Sequence, residues 1–239
     1  MRECGSRRSR VWGYVQFLRF VPEAAQRAPL LLVLPEPLRP LLAFMPELKP
    51  LLSSGRITLE GEAELSCSLL SLPDFLGVTK IDPSPYFDLE TETECGRIGV
   101  FRAGSAHYRF DARRSLSPDM LAPLLEVAGL TFVNLQQGDQ LQGMEQGVGK
   151  TLIETAVAMA RCEVVIGVDS MLAHLAGAMG KEFWLLDREG GDWRWQGPDW
   201  YAQTRIFRPQ GLLPPVEAWP PVIARVAQAL REVSGRDRS

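Results

Sequence analysis

The sequence has little of what marks nucleic-acid-binding, membrane-spanning or exported proteins. Its 239 residues carry a net charge of only −3, and a pI near 5.6 gives no general attraction to phosphate backbones or anionic membranes. The longest purely apolar runs, such as residues 30–34, are far too short to span a bilayer, and no apolar segment follows the arginine-rich N-terminus. These absences predict a soluble, cytoplasmic protein with no nucleic-acid partner and no membrane span.

Cysteine and histidine are also scarce. The two histidines and the four cysteines form no CxxC pair and no metal-ligand spacing, which predicts reduced thiols and no bound metal. The alternating glutamates of residues 90–94 lack a further ligand nearby and are typical of a solvated edge. The GVGKT stretch at residues 147–151 lacks the first glycine of a phosphate-binding Walker A loop. The cysteines are Cys4, Cys67, Cys95 and Cys162.

The apolar pattern predicts two α/β domains and a C-terminal helix. In the first domain, residues 1–95, helix and strand signals alternate, and the prolines and acidic residues between 81 and 96 indicate a boundary. Its predicted elements are helix 11–26, strand 30–34, helix 37–52 and strand 57–59. The last segment, residues 213–239, contains an amphipathic helix whose face of Val222, Val226 and Leu230 is expected to point inward.

The second domain, residues 96–212, shows the more regular alternation of strand and helix signals. Short connections between them predict right-handed βαβ units and one parallel sheet covered on both faces. The predicted elements are a strand from Ile98, helix 118–127, strand 131–135, helix 151–161, strand 163–168, helix 170–179 and strand 182–186. A turn-rich region is predicted after residue 190.

The segment EVVIGVDSMLAHLAGAMG offers a candidate anion site. A β-branched strand ends at Asp169 and Ser170, and a helix begins at once, so unpaired backbone N–H groups face an anion such as a diphosphate. His174 follows Ser170 by one helical turn and is expected on the same face, with neither side chain needed as core volume. Asp169 is assigned to sugar hydroxyls or to capping. In the alternative interpretation, Asp169 or Ser170 only caps the helix and His174 is a hydrogen-bonded interior histidine.

A basic loop, FRAGSAHYRFDARRS at residues 101–115, follows the first strand of this domain. Parallel strands bring it to the same sheet edge as Asp169, where guanidinium groups suit bidentate contact with phosphate. The alternative is a solvated loop whose arginines face water. Its candidate ligand-binding residues are Gly104, Ser105, Arg109, Arg113 and Arg114, and Asp111 is a candidate catalytic base, with a structural role as its alternative.

An aromatic loop, GGDWRW at residues 190–195, follows the last predicted strand. Asp192 and Trp193 are candidate ligand-binding residues there, because an aromatic ring stacks well on a base or a sugar. The alternative is that these aromatic side chains cover the core beneath a long loop.

The stretch VDSMLAHLAGAMGKEFWLL followed by DWRW resembles the C-terminal domain of glycosyltransferase family 9, the ADP-heptose:lipopolysaccharide heptosyltransferases. It is similar in particular to the glycosyltransferase-like domains fused to tetratricopeptide repeats. The similarity also takes in the basic loop, CSLLSLPDFLGVT and FVNLQQG, which contains Gln136. The resemblance implies a GT-B arrangement of two Rossmann-like domains, metal-independent transfer, and a donor site that includes Asp169, Ser170, His174 and Gln136, with the loop at 103–114 near the phosphates.

One departure from this family concerns the first domain. Family members open with an apolar strand and a Gly-Asp loop whose aspartate is the usual base, and Trp12 and Gly13 stand at the matching positions here. An arginine-rich stretch precedes them instead of a strand. We therefore expect the acceptor-side domain of residues 1–95 to be an incomplete Rossmann-like unit, and the catalytic base stays unassigned apart from Asp111.

Two main functional hypotheses follow. In the first, a glycosyltransferase-like protein transfers a sugar from a nucleotide-sugar donor to an unknown glycan, lipid-linked or protein acceptor, with the donor as substrate and no cofactor. Its catalysis is electrostatic, because the site stabilises the leaving nucleoside diphosphate. In the second, a non-catalytic homologue binds a nucleotide or a partner protein. An epimerase-like protein of the same architecture is a third option, but the extra acidic residues that it predicts are missing.

Overall fold

The structure, a computed structural model, describes residues 11–197 and 199–236, apart from the side chains of the first two and of the last. These residues form two units, one ending at Lys80 and one beginning at Ile81. The division precedes the boundary expected near residue 95, because the extended chain after Ile81 packs on the second unit. There the backbone N–H groups of Tyr86 and Phe87 donate to the carbonyl oxygen of Ala178 at 2.9 and 3.0 Å. Cys4 lies outside the described residues.

The first unit consists of short helices around one pair of two-residue strands. The strands β1 and β2 are parallel, with Leu30 opposite Ile57. Its elements are α1 (Val11–Phe17), α2 (Val21–Arg27), β1 (Leu30–Leu31), α3 (Leu48–Ser53), β2 (Ile57–Thr58) and α4 (Leu72–Leu76), with 3-10 turns at Leu18–Phe20, Glu36–Phe44 and Leu69–Ser71. The single helix expected over 37–52 is divided, since prolines within Glu36–Phe44 lack the N–H that a regular helix needs.

Two arginines hold the helices of the first unit together through helix ends. Arg56 donates to the carbonyl oxygens of Ala25 and Gln26, at 2.5 and 2.9 Å, and Arg27 donates to that of Leu76 at 2.8 Å. Cations at helix C-termini satisfy carbonyl groups that lack helical partners and face the negative end of the dipole. Polar contacts of this kind supplement the buried leucines of the unit.

The second unit contains one parallel sheet of six strands, in the order β5-β4-β3-β6-β7-β8. Its strands are β3 (Glu94–Phe101), β4 (Thr131–Asn134), β5 (Glu145–Gln146), β6 (Cys162–Val168), β7 (Glu182–Leu186) and β8 (Thr204–Phe207). Its helices are α5 (Asp111–Arg114), α6 (Ala122–Leu125), α7 (Leu152–Ala160), α8 (Met171–Ala178) and α9 (Pro215–Arg236). The predicted parallel α/β sheet is confirmed, and β5 and β8 are additions that the sequence pattern did not reveal.

The central strands are buried on both faces, as a parallel sheet covered by helices requires. Phe101 of β3 stacks on Phe183 of β7 with the rings 6.0 Å apart, across Gly167 of β6. A Cβ atom at Gly167 would come within 2.1 Å of the Phe101 ring, so the absence of a side chain there permits this stacking. Tight packing of this kind holds the carboxyl ends of β3, β6 and β7 in a fixed arrangement.

Helix α9 closes one face of this sheet. Val222, Val226 and Leu230 are completely buried in a core shared with Ile98 and Val164, which confirms the inward face expected for the C-terminal helix. Burial of a large aliphatic side chain contributes about 1.5–3 kcal/mol, so this face ties the end of the chain firmly to the sheet. None of the described helices is both long enough and apolar enough to cross a membrane.

Candidate functional site

The polar side chains of the second unit gather at the carboxyl ends of its strands. Parallel strands bring these ends to one edge, and the loops that follow them form the usual ligand-binding region of such sheets. The edge is built from the loop after β3, Gln136 after β4, Asp169 and Ser170 after β6, Asp187 after β7 and Arg208 after β8.

Ser170 occupies the N-cap position of α8 without capping it. Its backbone is extended, with φ −156° and ψ −179°, and its side chain makes no capping hydrogen bond. The residue is only 8% exposed, yet its Oγ has no hydrogen-bond partner among the described residues. A buried hydroxyl without a partner costs free energy, so this group is available for a ligand at the start of the helix.

Asp169 is turned toward the aromatic loop. Its carboxylate accepts a hydrogen bond from Trp195 Nε1 at 2.9 Å and lies 3.9 Å from the guanidinium of Arg114. Burial raises the pKa of Asp169, while the bond from Trp195 and the charge of Arg114 oppose that rise. Asp169 thus does not cap α8 with its side chain, and it fixes the position of Trp195 instead.

Arg114 is the residue that connects the basic loop to this point. It is 5% exposed, and it donates to the Asp111 carboxylate at 2.9 Å and to the backbone oxygen of Asp169 at 2.5 Å. A Cβ atom on Gly104 would lie 2.1 Å from its guanidinium, so glycine is needed for this approach. Asp111 therefore positions Arg114, in agreement with the structural alternative for that carboxylate.

The other predicted residues of the basic loop lie at its surface. Ser105, Arg109 and Arg113 are exposed, and the guanidinium of Arg109 stacks over the ring of Phe110 at 4.2 Å. The solvated-loop alternative thus describes these positions, whereas Arg114 is packed inside. Sequence alone does not separate neighbouring arginines of the same helix.

His174 lies in the interior, and the expectation that it is not needed as core volume is wrong. It is 1% exposed, its Nδ1 is 3.1 Å from the hydroxyl of Tyr201, and its ring stacks on Trp195 at 5.0 Å with 13° between the planes. A ligand over the first turn of α8 would meet Ser170, while the imidazole lies under Trp195. The interior alternative therefore describes His174 better than the ligand-facing one.

Gln136, Asp192 and Trp193 have different surroundings. The side-chain oxygen of Gln136 accepts from the backbone N–H groups of Arg102 and Ala103 at 3.1 and 2.9 Å, which fastens the start of the basic loop. Asp192 pairs with Arg194 and caps the 3-10 turn at Trp193–Trp195. Trp193 is 59% exposed, so its ring is accessible for stacking.

The sequence reasoning missed Asp187 and Arg208. Asp187 directly follows β7 and is 1% exposed, and its carboxylate accepts from Arg208 Nε at 2.8 Å. Burial raises the pKa of Asp187 to about 6 against the opposing effect of Arg208. An aspartate just after an apolar strand was a visible signal, but Arg208 follows β8, which the turn-rich composition concealed.

Most acidic groups at this edge are already neutralised by arginines. The pairs are Asp111 with Arg114, Asp139 with Arg102, Asp187 with Arg208 and Asp192 with Arg194. Within residues 11–197 and 199–236, no group of three or more His, Cys, Asp or Glu side chains is arranged to hold a metal ion.

A cavity of about 390 Å³ was also missed by the sequence reasoning. It lies between α5, the loops that follow β7 and β8, and the first turns of α9. Its lining includes the arginines Arg113 and Arg188 and several apolar residues of the segment 209–215. These segments are far apart in the chain, and no local motif links them.

Comparisons with known proteins give partial similarities. No protein-family model matches the chain. Protein FlbA of Caulobacter vibrioides is 31% identical over 138 residues, which cover 50% of this chain and 22% of FlbA. A family 9 glycosyl transferase from Veillonella parvula DSM 2008 is similar over 70% of this chain and 50% of its own, with 14% identity and a TM-score of 0.43. The E. coli heptosyltransferase WaaC with ADP is similar over 73% and 59%, with 15% identity and a TM-score of 0.46.

Proposed function

We propose that the second unit binds a nucleotide sugar beside the start of α8, and that the protein is a glycosyltransferase-like enzyme that transfers the sugar to a glycan, lipid-linked or protein acceptor. The observation that carries the proposal is the buried hydroxyl of Ser170, which neither caps its helix nor meets another partner among the described residues. A phosphate oxygen at this point would accept a hydrogen bond from that hydroxyl.

Charge and backbone geometry support an anion at the same place. The first N–H groups of α8 have no partners within the helix, and the helix dipole places partial positive charge there. The guanidinium of Arg114 is bound to the carbonyl oxygen of Asp169, the residue immediately before Ser170. Arg114 is therefore fixed next to the proposed phosphate position, where its guanidinium, paired with Asp111, also offsets the charge of the Asp169 carboxylate that a diphosphate would meet.

The sequence motif supports the identity of the ligand. The stretch DSMLAHLAGAMG, with the aromatic loop after β7, resembles the donor site of family 9 glycosyltransferases. In such a site, catalysis comes from groups that stabilise the leaving nucleoside diphosphate as its bond to the sugar breaks. Ser170, Arg114 and the start of α8 supply these groups here without a metal ion. The exposed ring of Trp193 offers a stacking surface for the sugar or the base.

Binding without transfer is the second candidate, and the paired aspartates favour it. A general base must accept a proton from the acceptor hydroxyl, and a carboxylate that is held by an arginine is a poor acceptor. Asp111 is bound to Arg114 and is therefore not poised for this role. Asp187 has a pKa raised by burial to about 6, but it is only 1% exposed and is hydrogen-bonded to Arg208, so it does not face an acceptor from solvent. Under this candidate, the second unit retains nucleotide affinity and turns over no donor.

Calorimetric titration of ADP, UDP and GDP tests the binding site. We expect one nucleotide to bind, and we expect Ser170→Ala to weaken it by roughly 1–3 kcal/mol, as for the loss of a hydrogen bond to a charged group. Ser234→Ala is the matched control, because its hydroxyl donates to Ala128 near the start of β4, at the other edge of the sheet. Binding should persist in EDTA. If none of the three nucleotides binds at millimolar concentration, the site assignment fails.

Donor turnover separates the two candidates. Nucleotide sugars that carry the preferred nucleotide are incubated with the protein, and release of the nucleoside diphosphate is measured with and without candidate acceptors. Release that Ser170→Ala reduces and Ser234→Ala leaves unchanged supports the enzyme. Tight nucleotide binding with no release for any donor supports binding without transfer.

A further inference from the structure

The cavity between α5 and the start of α9 has charged side chains in its lining. Arg113 and Arg188 line it, and it has a volume of about 390 Å³, within the usual range for small-molecule sites. It contains neither Ser170 nor any other residue of α8. The proposed nucleotide position therefore leaves this cavity unused.

The two arginines of this lining have no carboxylate partner among the described residues, unlike Arg102, Arg114, Arg194 and Arg208 at the same edge. No hydrogen bond or ion pair of the Arg113 side chain with another described residue is found, and that side chain is exposed. Arg188 donates to the carbonyl oxygens of Glu189 and Gly190 at 3.3 and 2.6 Å and stacks over Phe110 at 4.9 Å. Glu189 also lines the cavity, so two cations and one anion leave a net positive charge.

The lining also contains exposed aliphatic side chains. Leu212 and Leu213 line the cavity and are 78% and 50% exposed, which is high for two neighbouring leucines. Pro214 and Pro215 follow them and restrict the backbone at the entry to α9. The described lining holds no aromatic ring and no side-chain amide, which are the groups that recognise a nucleobase. An aliphatic ligand therefore suits this lining better than a nucleoside does.

From this combination of cationic and aliphatic lining we infer a second ligand site, which binds a small amphiphilic anion with its phosphate or carboxylate head at Arg113 and Arg188 and its aliphatic body against Leu212 and Leu213. The guanidinium pair offers bidentate hydrogen bonds to such a head. The site is separate from the one at α8, although α5 serves both. Arg114 of that helix reaches back to Asp169, whereas its neighbour Arg113 lines the cavity.

The test is calorimetric titration with octyl phosphate and octanoate, both kept below the concentration at which they form micelles. We expect binding at one site per chain, and we expect Arg113→Ala to weaken it about tenfold to a hundredfold, as for the loss of a charge-assisted hydrogen bond. Leu212→Ser should weaken the octyl compounds and leave inorganic phosphate unaffected. Both side chains are exposed, so the variants should fold, and circular dichroism checks this.

Two controls make the result decisive. Arg231→Ala removes an exposed arginine whose described contact is with Gln228 on the same helix, and it should leave octyl phosphate binding unchanged. Ser170→Ala should also leave it unchanged, which distinguishes this site from the nucleotide site. Equal weakening by Arg113→Ala and Arg231→Ala would mean general charge attraction and would overturn the assignment. Binding of 1-octanol as tight as that of octyl phosphate, or no binding at all, would overturn it as well.

Discussion

The two units turn similar sequence signals into different structures. Residues 30–34 are as apolar as the strand β6, yet β1 contains two residues and β6 contains seven. The difference lies in their neighbours, because β6 pairs with both β3 and β7, while among residues 11–197 and 199–236 β1 pairs only with the two residues of β2. After β2 the chain continues through exposed residues and offers β1 no further partner. In a parallel sheet, the strand is therefore only as long as its neighbours allow.

Hydrogen exchange should show this contrast as the largest effect. The amides of Val164, Val165 and Ile166 lie in the centre of the sheet, whereas those of Leu30 and Leu32 donate to β2 and the residue before it at the edge of a two-stranded pair. We expect exchange at least about a hundredfold slower in β6, a difference of roughly 3 kcal/mol in opening free energy. Mass spectrometry of peptides from the two regions measures it. Equal protection in both units would contradict the comparison.

Replacement of His174 should destabilise the second unit alone. The side chain is 1% exposed and stacks on Trp195, so His174→Ala leaves a cavity and removes the partner of Tyr201, at a cost of roughly 2–4 kcal/mol. Trp193→Ala is the control, because that ring is 59% exposed and its described contacts are an edge contact with Trp200 and a cation contact with Arg194, so its loss should cost about 1 kcal/mol or less. Urea unfolding followed by circular dichroism measures both. A stable His174→Ala protein would restore the ligand-facing assignment.

The free energy of unfolding of the second unit should depend on pH mainly through the titration of Asp187. Burial raises its pKa from 3.8 to about 6, so the folded protein holds a proton that the unfolded chain releases between these values. Stability from this group is thus full below pH 3.8 and is lost as the pH rises through about 6. At about 1.4 kcal/mol per pKa unit, the loss is roughly 3 kcal/mol.

Unfolding followed by tryptophan fluorescence tests this prediction. The signal reports mainly on the second unit, since five of the six tryptophans lie beyond residue 81. In Asp187→Asn the part of this loss that Asp187 causes should disappear from the unfolding curves, and the part due to Asp169, whose pKa burial also raises, should remain. Asp119→Asn, at an exposed carboxyl of the same unit, should keep the parent profile. If Asp187→Asn follows the parent profile too, the burial of this group does not control the pH dependence.

How much the sequence revealed depended on whether a feature was local. Short local stretches of sequence determine the strands β3, β4, β6 and β7 and the start of α8. The bounds predicted for these elements agree closely with the observed ones. The direction of a side chain is decided by distant residues, so His174 was placed on the ligand face although Trp195 and Tyr201 cover it. The cavity beside Arg113 is assembled from α5, two loops and the start of α9, and β8 carries two exposed residues in four, so neither had a periodic signal.

The smallest expected effect compares two serines at helix starts, one in each unit. Ser68 caps the turn at Leu69–Ser71, where its Oγ accepts from the N–H of Leu70 at 3.3 Å, so Ser68→Ala should cost the first unit roughly 0.5–1 kcal/mol. Ser170 makes no such bond, and Ser170→Ala removes a buried hydroxyl without a described partner. It should lower the free energy of unfolding of the second unit by less than about 0.5 kcal/mol, or should raise that free energy.

Hydrogen exchange resolved by unit measures both serine variants in the absence of nucleotide. A near-zero stability change at Ser170 together with weakened nucleotide binding would mean that this hydroxyl is kept for a ligand, because a residue retained for folding would show the opposite pattern. A loss at Ser170 as large as at Ser68 would mean that its hydroxyl has a structural role in the folded state. In that case the affinity change in Ser170→Ala would reflect a disturbed helix start, and the proposal for the nucleotide site would lose the observation that carries it.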